Sequence, residues 1–89
     1  MNNLGLAFRA QKLHYGTTNV IKSIQKQEAT LVIIANDASD NTKKKIIDKC
    51  TYYNVDYKIK YQSHEISHAI GKKNIMVISI LDSGFKNIL

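Results

Sequence analysis

The sequence predicts an α/β protein, a small three-layer α/β/α sandwich around a four-stranded mixed sheet. Two observations support this fold class. Stretches with helical spacing of apolar residues alternate with short strands, and two of the strands are apolar apart from one hydroxyl residue each, Thr30 and Ser79. A strand with so few polar positions is typical of a sheet that helices cover on both faces. The chain has 89 residues, which suits one domain, and we expect that domain to span residues 1–89.

Two helices are predicted in the first third of the chain. Apolar side chains recur at helical spacing over residues 4–13, and Asn3 before them is a residue type that caps helices. Gly16 interrupts this pattern, and a second helix follows it. The apolar face of that helix consists of Val20, Ile21 and Ile24.

The middle of the chain predicts a strand, a helix and a second strand. Residues 29–35 are apolar except for Thr30, which predicts a strand, and the polar stretch 36–40 follows them. A helix begins near Thr42, and its buried stripe should contain Ile46, Ile47, Cys50 and Tyr53. Residues 55–61 alternate apolar and polar side chains, which indicates a strand with one face open to water.

The last third predicts a short helix, a strand and a helical terminus. Ser63 is placed to cap a helix that ends at Gly71. Residues 75–81, apolar except for Ser79, form the second apolar strand, residues 82–84 a turn, and residues 85–89 a helical stub. These patterns locate three of the expected strands directly.

Composition restricts the partner and the compartment. Thirteen Lys and Arg against seven Asp and Glu give a net charge of +6, which favours a polyanion such as nucleic acid, although it also keeps a small protein soluble. The first residues lack the features of a signal peptide, and the longest apolar runs are too short to span a membrane. Cys50 has no second cysteine to pair with, which suits the reducing cytoplasm. From the cysteine and the short apolar runs together, we expect a cytoplasmic protein without membrane contact.

Short motifs follow one another in a specific order along nearly the whole chain. They include GLAFRAQKL at residues 5–13, GTTNVIKSI at 16–24, LVIIANDAS at 31–39, NTKKK at 41–45, DKC at 48–50, YNV at 53–55, HAIGK at 68–72 and DSGF at 82–85. Each motif is weak alone, but their order and spacing together are specific. The chain in this way resembles small bacterial members of the ribosomal L-seven-Ae family of RNA-binding proteins.

This resemblance implies a function as well as the fold. The family recognises kink-turns, in which duplex RNA bends sharply around a bulge flanked by sheared G·A pairs. The start of the second helix presents side chains to guanine edges and amides to phosphates, and a loop before the fourth helix covers the flipped-out nucleotides. The residues expected to bind RNA are Lys12, Gly16, Thr17, Thr18, Asn19, Lys22, Asn36, Asp37, Tyr61, Gln62 and Ser63. We expect a monomer with no cofactor and no enzymatic activity, acting on ribosomal or regulatory RNA.

The residues of the second helix agree with this role. At about 100° per residue, Thr18, Asn19 and Lys22 share a face opposite the apolar one. Thr17 or Thr18 as a helix cap, with Lys22 merely solvated, is the alternative. The best-known family members have Asn and then Glu where this chain has Thr18 and Asn19, so the natural carboxylate acceptor for guanine is missing. Tyr61 either stacks on a base or ends its strand by packing on a helix.

One motif suggests a different chemistry. His64, Glu65 and His68 match the H-E-x-x-H pattern of zinc proteases, but a catalytic zinc needs a third protein ligand. We therefore expect solvated histidines, with a zinc-dependent hydrolase as a remote alternative and a protein-interaction adaptor on the same fold as another. Cys50 is expected to be a buried thiol, and the lysines of the third helix a solvated face: Lys44, Lys45 and Lys49.

Overall fold

The computed structural model of the protein describes residues 2–87. Its elements are α1 (Asn2–Arg9), β1 (Leu13–Tyr15), α2 (Thr17–Gln25), β2 (Leu31–Ile34), α3 (Asp40–Tyr53), β3 (Asp56–Ile59), α4 (Ser63–Ile70), β4 (Val77–Ile80) and α5 (Ser83–Lys86). The strands lie in the order β1-β4-β2-β3, where β2 and β3 are parallel and β4 is antiparallel to both of its neighbours. This confirms the predicted α/β class and the four-stranded mixed sheet.

The helices cover the two faces of the sheet. Successive residues of a strand point to opposite faces, so Ile78 and Ser79 of β4 face different helices. Ser79 meets Ser23 of α2, whereas Tyr15, the partner of Ile78 in β1, packs on Phe8 of α1. Helix α2 packs with α3 and helix α1 with α4, which gives the three layers.

The two apolar runs form the centre of the sheet. All four residues of β2 and all four of β4 are buried, because each strand has a neighbour on both sides and helices above and below. The stripe of α3 is confirmed as well: Ile46 and Cys50 are buried, and Ile47 and Tyr53 pack against the core. No helix within residues 2–87 has the length and apolar character needed to cross a membrane.

The predicted first helix is too long by several residues. Helix α1 ends at Arg9, Gln11 adopts a left-handed conformation with φ 59°, and Leu13 begins β1. The apolar Leu13 suits either element, and a three-residue strand is too short to show its own period. Asn3 lies inside α1 and does not precede it, so the prediction that it caps the helix is wrong.

Strand β3 is more exposed than its alternating pattern indicates. All four of its residues are exposed, including Tyr57 at 40% and Ile59 at 44%. The strand lies at the edge of the sheet, with β2 as its neighbour on one side, and α3 covers its apolar face only in part. The prediction of one solvated face is confirmed, whereas the burial that the pattern implies for the apolar face of β3 is wrong.

The end of the chain follows its prediction with a change at one cap. Gln62, and not Ser63, precedes α4, and its N–H donates to the Glu65 side chain at 2.8 Å. Gly71 ends α4 with φ 69°, as expected. Asp82 caps α5 by accepting the N–H of Gly84, while residues 88 and 89 of the predicted stub lie outside the described residues.

A buried pair of hydroxyls joins α2 to β4. The Ser23 hydroxyl lies 2.7 Å from the Val20 carbonyl oxygen and 2.8 Å from the Ser79 hydroxyl. Since each hydroxyl has one proton, Ser23 donates to Val20 and accepts from Ser79. Ser79 is fully buried, and among the described residues the hydroxyl of Ser23 is the hydrogen-bond partner of the Ser79 hydroxyl.

Removing one member of this pair should therefore cost more than removing both. We expect Ser23→Ala to lower the free energy of unfolding by about 1–3 kcal/mol, because it leaves the Ser79 hydroxyl buried and unpaired. Adding Ser79→Ala should recover part of that loss. Urea unfolding of both single variants and the double variant measures this, and a double variant whose loss equals the sum of the single losses would contradict the assignment.

Candidate nucleic-acid interface

Most of the residues expected to bind RNA lie at one end of the sheet. Strands β2 and β3 are parallel and finish at this end, and the antiparallel β4 begins there. Hydrogen bonds join its loops: Gly16 N–H to Val77 C=O at 3.1 Å, Ala35 N–H to Met76 C=O at 2.8 Å and Asn36 N–H to Tyr61 C=O at 2.8 Å. We call this region the Gly16 end, made of residues 16–19 and 22 at the start of α2 and of residues 35–39, 60–63 and 71–76.

The first turn of α2 presents unpaired donors at the Gly16 end. Gly16 precedes the helix with φ 89° and ψ 145°, a conformation that favours glycine. Within residues 2–87, the backbone N–H groups of Thr17, Thr18 and Asn19 have no acceptor, and no side chain caps the helix. The alternative in which a threonine caps α2 is therefore not the one found. Free amides and the positive end of the helix dipole together suit an anion such as phosphate.

The side chains of α2 divide as the spacing predicts. Thr18, Asn19 and Lys22 are exposed, while Val20 and Ile24 are fully buried. Asn19 donates one amide proton to the carbonyl oxygen of Tyr15 at 3.2 Å, which holds its side chain beside the helix start. Its second amide proton and its carbonyl oxygen remain for a ligand.

A carboxylate joins two loops of the Gly16 end. Asp37 accepts the backbone N–H of Ser63 at 2.7 Å and the Ser63 hydroxyl at 2.6 Å. These two hydrogen bonds, the hydroxyl bond first, hold the pKa of Asp37 below its usual range. The amide and the hydroxyl of Ser63, which is among the residues expected to bind RNA, are therefore both occupied. Asp37 and Ser63 act here by fixing the loop before α4 against the loop after β2.

Tyr61 lies half-buried in that loop. Its φ is 70°, its ring packs against the hydrophobic core, and the Lys60 ammonium lies 5.0 Å from the ring centroid. This packing corresponds to the alternative in which Tyr61 ends its strand. Stacking of a base on this ring stays a prediction, and the exposed Gln62 beside it remains accessible.

Lys12 lies apart from the other expected residues. Its carbonyl oxygen accepts the N–H of Leu81, and the adjoining Leu13 pairs with Ile80 at the far end of β4. Lys12 is exposed there, across the length of the sheet from Gly16. Lys44 and Lys45 are exposed on α3 as expected, and Lys49 is partly covered.

The loop between α4 and β4 also lies at the Gly16 end, although it is not among the residues expected to bind RNA. Because β4 runs antiparallel to β2, residues 71–76 enter it at the Gly16 end. Lys73 and Asn74 are exposed, and they share a surface depression of about 350 Å³ with Ser63 and His64. Lys72 lies 5.5 Å from the centroid of the Tyr15 ring. The signal in the sequence is the pair of lysines after Gly71, but placing it requires the direction of β4.

The two histidines of the H-E-x-x-H motif have no third metal ligand beside them within residues 2–87. His64 and His68 are exposed on α4, beside a groove of about 600 Å³ against α1. Glu65 is engaged with the Gln62 N–H, and in the described part of the chain no three His, Cys, Asp or Glu side chains are grouped to hold a metal. Cys50 is fully buried, and burial raises its pKa to about 11, so the thiol is neutral.

Comparison with known proteins identifies the family of the chain. A family model described as ribosomal protein L7Ae/L30e/S12e/Gadd45 matches residues 1–89. The chain belongs to this family. The resemblance drawn from the ordered motifs is thereby confirmed.

Individual members of the L7Ae family cover nearly the whole chain. The chain is 45% identical over 84 residues to the RNA-binding protein YlxQ of Bacillus subtilis (strain 168), and the matched residues make up 94% of this chain and 84% of that protein. It is 46% identical over 85 residues to the RNA-binding protein YlxQ of Enterococcus faecium, and these residues make up 96% of this chain and 82% of that protein.

Solved structures share the L7Ae fold described above. A protein of unknown function from Bacillus halodurans C superposes with a TM-score of 0.93 at 40% identity, over 98% of this chain and 88% of that one. The 15.5kD RNA binding protein of Giardia lamblia superposes with a TM-score of 0.82 at 23% identity, over 98% and 75% of the two chains. The second likeness concerns the fold alone.

The bond between Asp37 and Ser63 makes a pH prediction. The pKa of Asp37 is lowered in the folded protein, so its contribution to stability is present above the ordinary value of about 3.9 and is lost as the pH falls through the lower folded value. We expect Asp37→Asn to lose less stability than the wild type between pH 7 and pH ~3. Ser63→Ala, which keeps the amide donor, should show an intermediate loss. Equal losses in all three proteins, measured by urea unfolding, would contradict this role of Asp37.

The histidine pair makes a second prediction. After dialysis against buffer without metal, we expect the purified protein to retain no stoichiometric zinc, because two exposed histidines without a third ligand bind zinc weakly. Mass spectrometry of the metal content, with His68→Ala as the matched control, measures this. One zinc per chain in the wild type and none in the variant would restore the metal interpretation.

Proposed function

We propose that this chain is a non-enzymatic RNA-binding protein, that residues 1–89 act as one domain, and that it recognises kink-turns or similarly bent RNA. The observation that carries the proposal is the first turn of α2, where three unpaired amides lie beside the exposed Thr18, Asn19 and Lys22. Membership of the L7Ae family and two relatives named as RNA-binding proteins, at 45% and 46% identity, support it.

Each group at the helix start has a distinct role in this proposal. The amides of Thr17 and Thr18 donate to a phosphate oxygen, and Lys22 adds a full positive charge one turn further along the exposed face. Asn19 contacts a base edge, since its free amide proton and its carbonyl oxygen offer both a donor and an acceptor. The carbonyl oxygen takes the place of the carboxylate found in the best-known family members and accepts from guanine as a neutral group.

Bent RNA fits the Gly16 end better than a regular duplex does. Side chains cannot read the deep, narrow major groove of A-form RNA, so proteins read distorted sites and unstacked bases. The loops around Tyr61 and Lys73 lie at the same end as α2 and can contact nucleotides that a bulge turns outward. Gln62 is exposed between them and supplies hydrogen bonds to a base edge.

The proposed setting follows from the same features. One copy of the chain supplies every group named above, so a monomer suffices to bind one RNA site. The RNA is ribosomal or regulatory, and the single, buried cysteine suits the reducing cytoplasm. The net charge of +6 adds attraction to any RNA, independent of its sequence.

A charge reversal tests the role of α2. We expect Lys22→Glu to weaken binding to a kink-turn RNA by about tenfold or more and to reduce the slope of log K against log salt by about one, because it removes a phosphate contact. Lys45→Glu is the matched control, since Lys45 is exposed on α3 outside the Gly16 end. Its effect should be smaller, and neither variant should shift the melting temperature by more than a few degrees. Equal losses of affinity would contradict the proposed contact.

A second RNA tests the specificity. In the control RNA, the sheared G·A pairs of the kink-turn are replaced by Watson–Crick pairs, so the length and charge stay the same and the bend is lost. We expect the wild type to bind the kink-turn about tenfold more tightly or better in a gel-shift titration at a fixed salt concentration. Equal affinity for the two RNAs would refute kink-turn recognition and leave binding by charge alone.

A further inference from the structure

The free edge of the sheet at β3 is open to another strand. Strand β3 pairs with β2, and Lys60 N–H donates inward to the Ile34 carbonyl oxygen at 3.0 Å. In a parallel ladder alternate residues bond to the same neighbour, so Tyr57 and Ile59 direct their backbone N–H and C=O groups away from β2. Within residues 2–87, no other backbone group pairs with them. Unpaired edge groups of this kind are a template for strand addition.

Apolar side chains are concentrated beside this open edge. Among the described residues, the large hydrophobic side chains classed as exposed are Leu6 at 47%, Tyr52 at 80%, Tyr57 at 40% and Ile59 at 44%. Three of these four lie at the end of α3 and on β3. Edge strands that stay unpaired are often protected by charged side chains, by proline or by a covering element, whereas here the face towards α3 carries an aromatic and a β-branched residue.

The sequence of the edge is complementary to itself. We propose that β3 pairs antiparallel with β3 of a second copy of this chain, around a two-fold axis at Tyr57. Tyr57 then faces its own copy, and Val55 faces Ile59 across the axis, so apolar residues meet on one face. On the other face, Asp56 stands opposite Lys58. Both the direction of the backbone groups and the signs of the charges agree in this register.

The neighbouring registers lack this agreement. A two-fold axis at Lys58 places two lysines directly opposite each other, and an axis at Asp56 does the same with two carboxylates, which is unfavourable. If the two-fold axis lay between two residues, the outward-facing N–H and C=O groups of one copy would stand opposite residues of the other copy whose groups face inward, and the two could not bond to each other. In the Tyr57 register, Tyr57 exchanges both of its hydrogen bonds with its copy, and Ile59 N–H donates to the Val55 carbonyl oxygen. The Val55 N–H is already bonded to Cys50 within the chain.

The Asp56 charge at the edge is held in place before a second copy arrives. Asp56 pairs with Lys86 of α5 at 2.6 Å, which holds the pKa of the Asp56 carboxyl below its usual range. The Asp56 side chain is still 69% exposed, so it presents its charge to the approaching Lys58. Since the paired edge spans only about 16 Å, the dimer is weak and depends on concentration. The antiparallel arrangement points the two Gly16 ends in opposite directions and leaves both accessible.

A cysteine pair tests the register. In the Tyr57 register the two Cα atoms of residue 57 lie about 5.5 Å apart, within disulfide range, whereas those of residue 58 lie farther apart than the ~7 Å limit. With diamide as the oxidant, we expect Tyr57→Cys to form a covalent dimer about tenfold faster than Lys58→Cys. Cys50 is buried and should not react in the wild type. Slow cross-linking of both variants, or faster cross-linking at residue 58, would overturn the proposal.

Charge variants test the association itself without cysteine. Lys58→Asp places like charges opposite each other in its own dimer, and so does Asp56→Lys, but an equimolar mixture restores opposite charges at both positions. By sedimentation equilibrium up to ~1 mM protein, we expect the wild type and the mixture to associate, each with a Kd about tenfold lower than either variant alone. A wild type that remains monomeric throughout, or a mixture no tighter than the separate variants, would refute the β3 dimer. Circular dichroism of each variant establishes that it is folded.

Discussion

The pairing of β4 with β1 on one side and β2 on the other determines where the groups of the candidate site lie. Because β4 is antiparallel to both, its first residues meet the last residues of its neighbours. The carbonyl oxygen of Val77 receives the N–H of Gly16, and that of Met76 receives the N–H of Ala35. The start of α2 is thereby fixed beside the loops that follow β2 and β3. A helix start, two loops and a lysine-rich turn become one surface through backbone hydrogen bonds.

The position of each positive charge relative to the Gly16 end decides what that charge can contribute to RNA binding. A net charge of +6 attracts any polyanion, and the exposed Lys44 and Lys45 contribute to it without lying at the Gly16 end. Lys22 differs from them because it shares a face with Thr18 and Asn19 beside unpaired amides. The amides have fixed directions, so they can position a phosphate, whereas the side-chain charges mainly strengthen the attraction. Asp37 belongs to the same surface, but its carboxylate is used to hold Ser63 in place.

The sequence could predict what depends on local pattern and could not predict what depends on strand order. The apolar runs predicted β2 and β4, and helical spacing predicted the two faces of α2, because burial follows period at these places. Strand β1 was missed, since three residues have no recognisable period. The exposure of Tyr57 and the bond between Asp37 and Ser63 require knowledge of which strands are neighbours, as does the position of residues 71–76. The family resemblance supplied the expected site, but it gave no indication that the Ser63 amide is occupied.

We propose that one end of the sheet, and not the charged surface as a whole, receives RNA. Backbone amide NMR shifts, recorded as an unlabelled kink-turn RNA is added to isotope-labelled protein, test this proposal. We expect the largest changes at Thr17, Thr18 and Asn19 and in the loops of the Gly16 end, with little change at Lys12, at Leu81 or along α3. Changes spread evenly over the lysine-bearing surfaces, or concentrated at the Lys12 end, would contradict it.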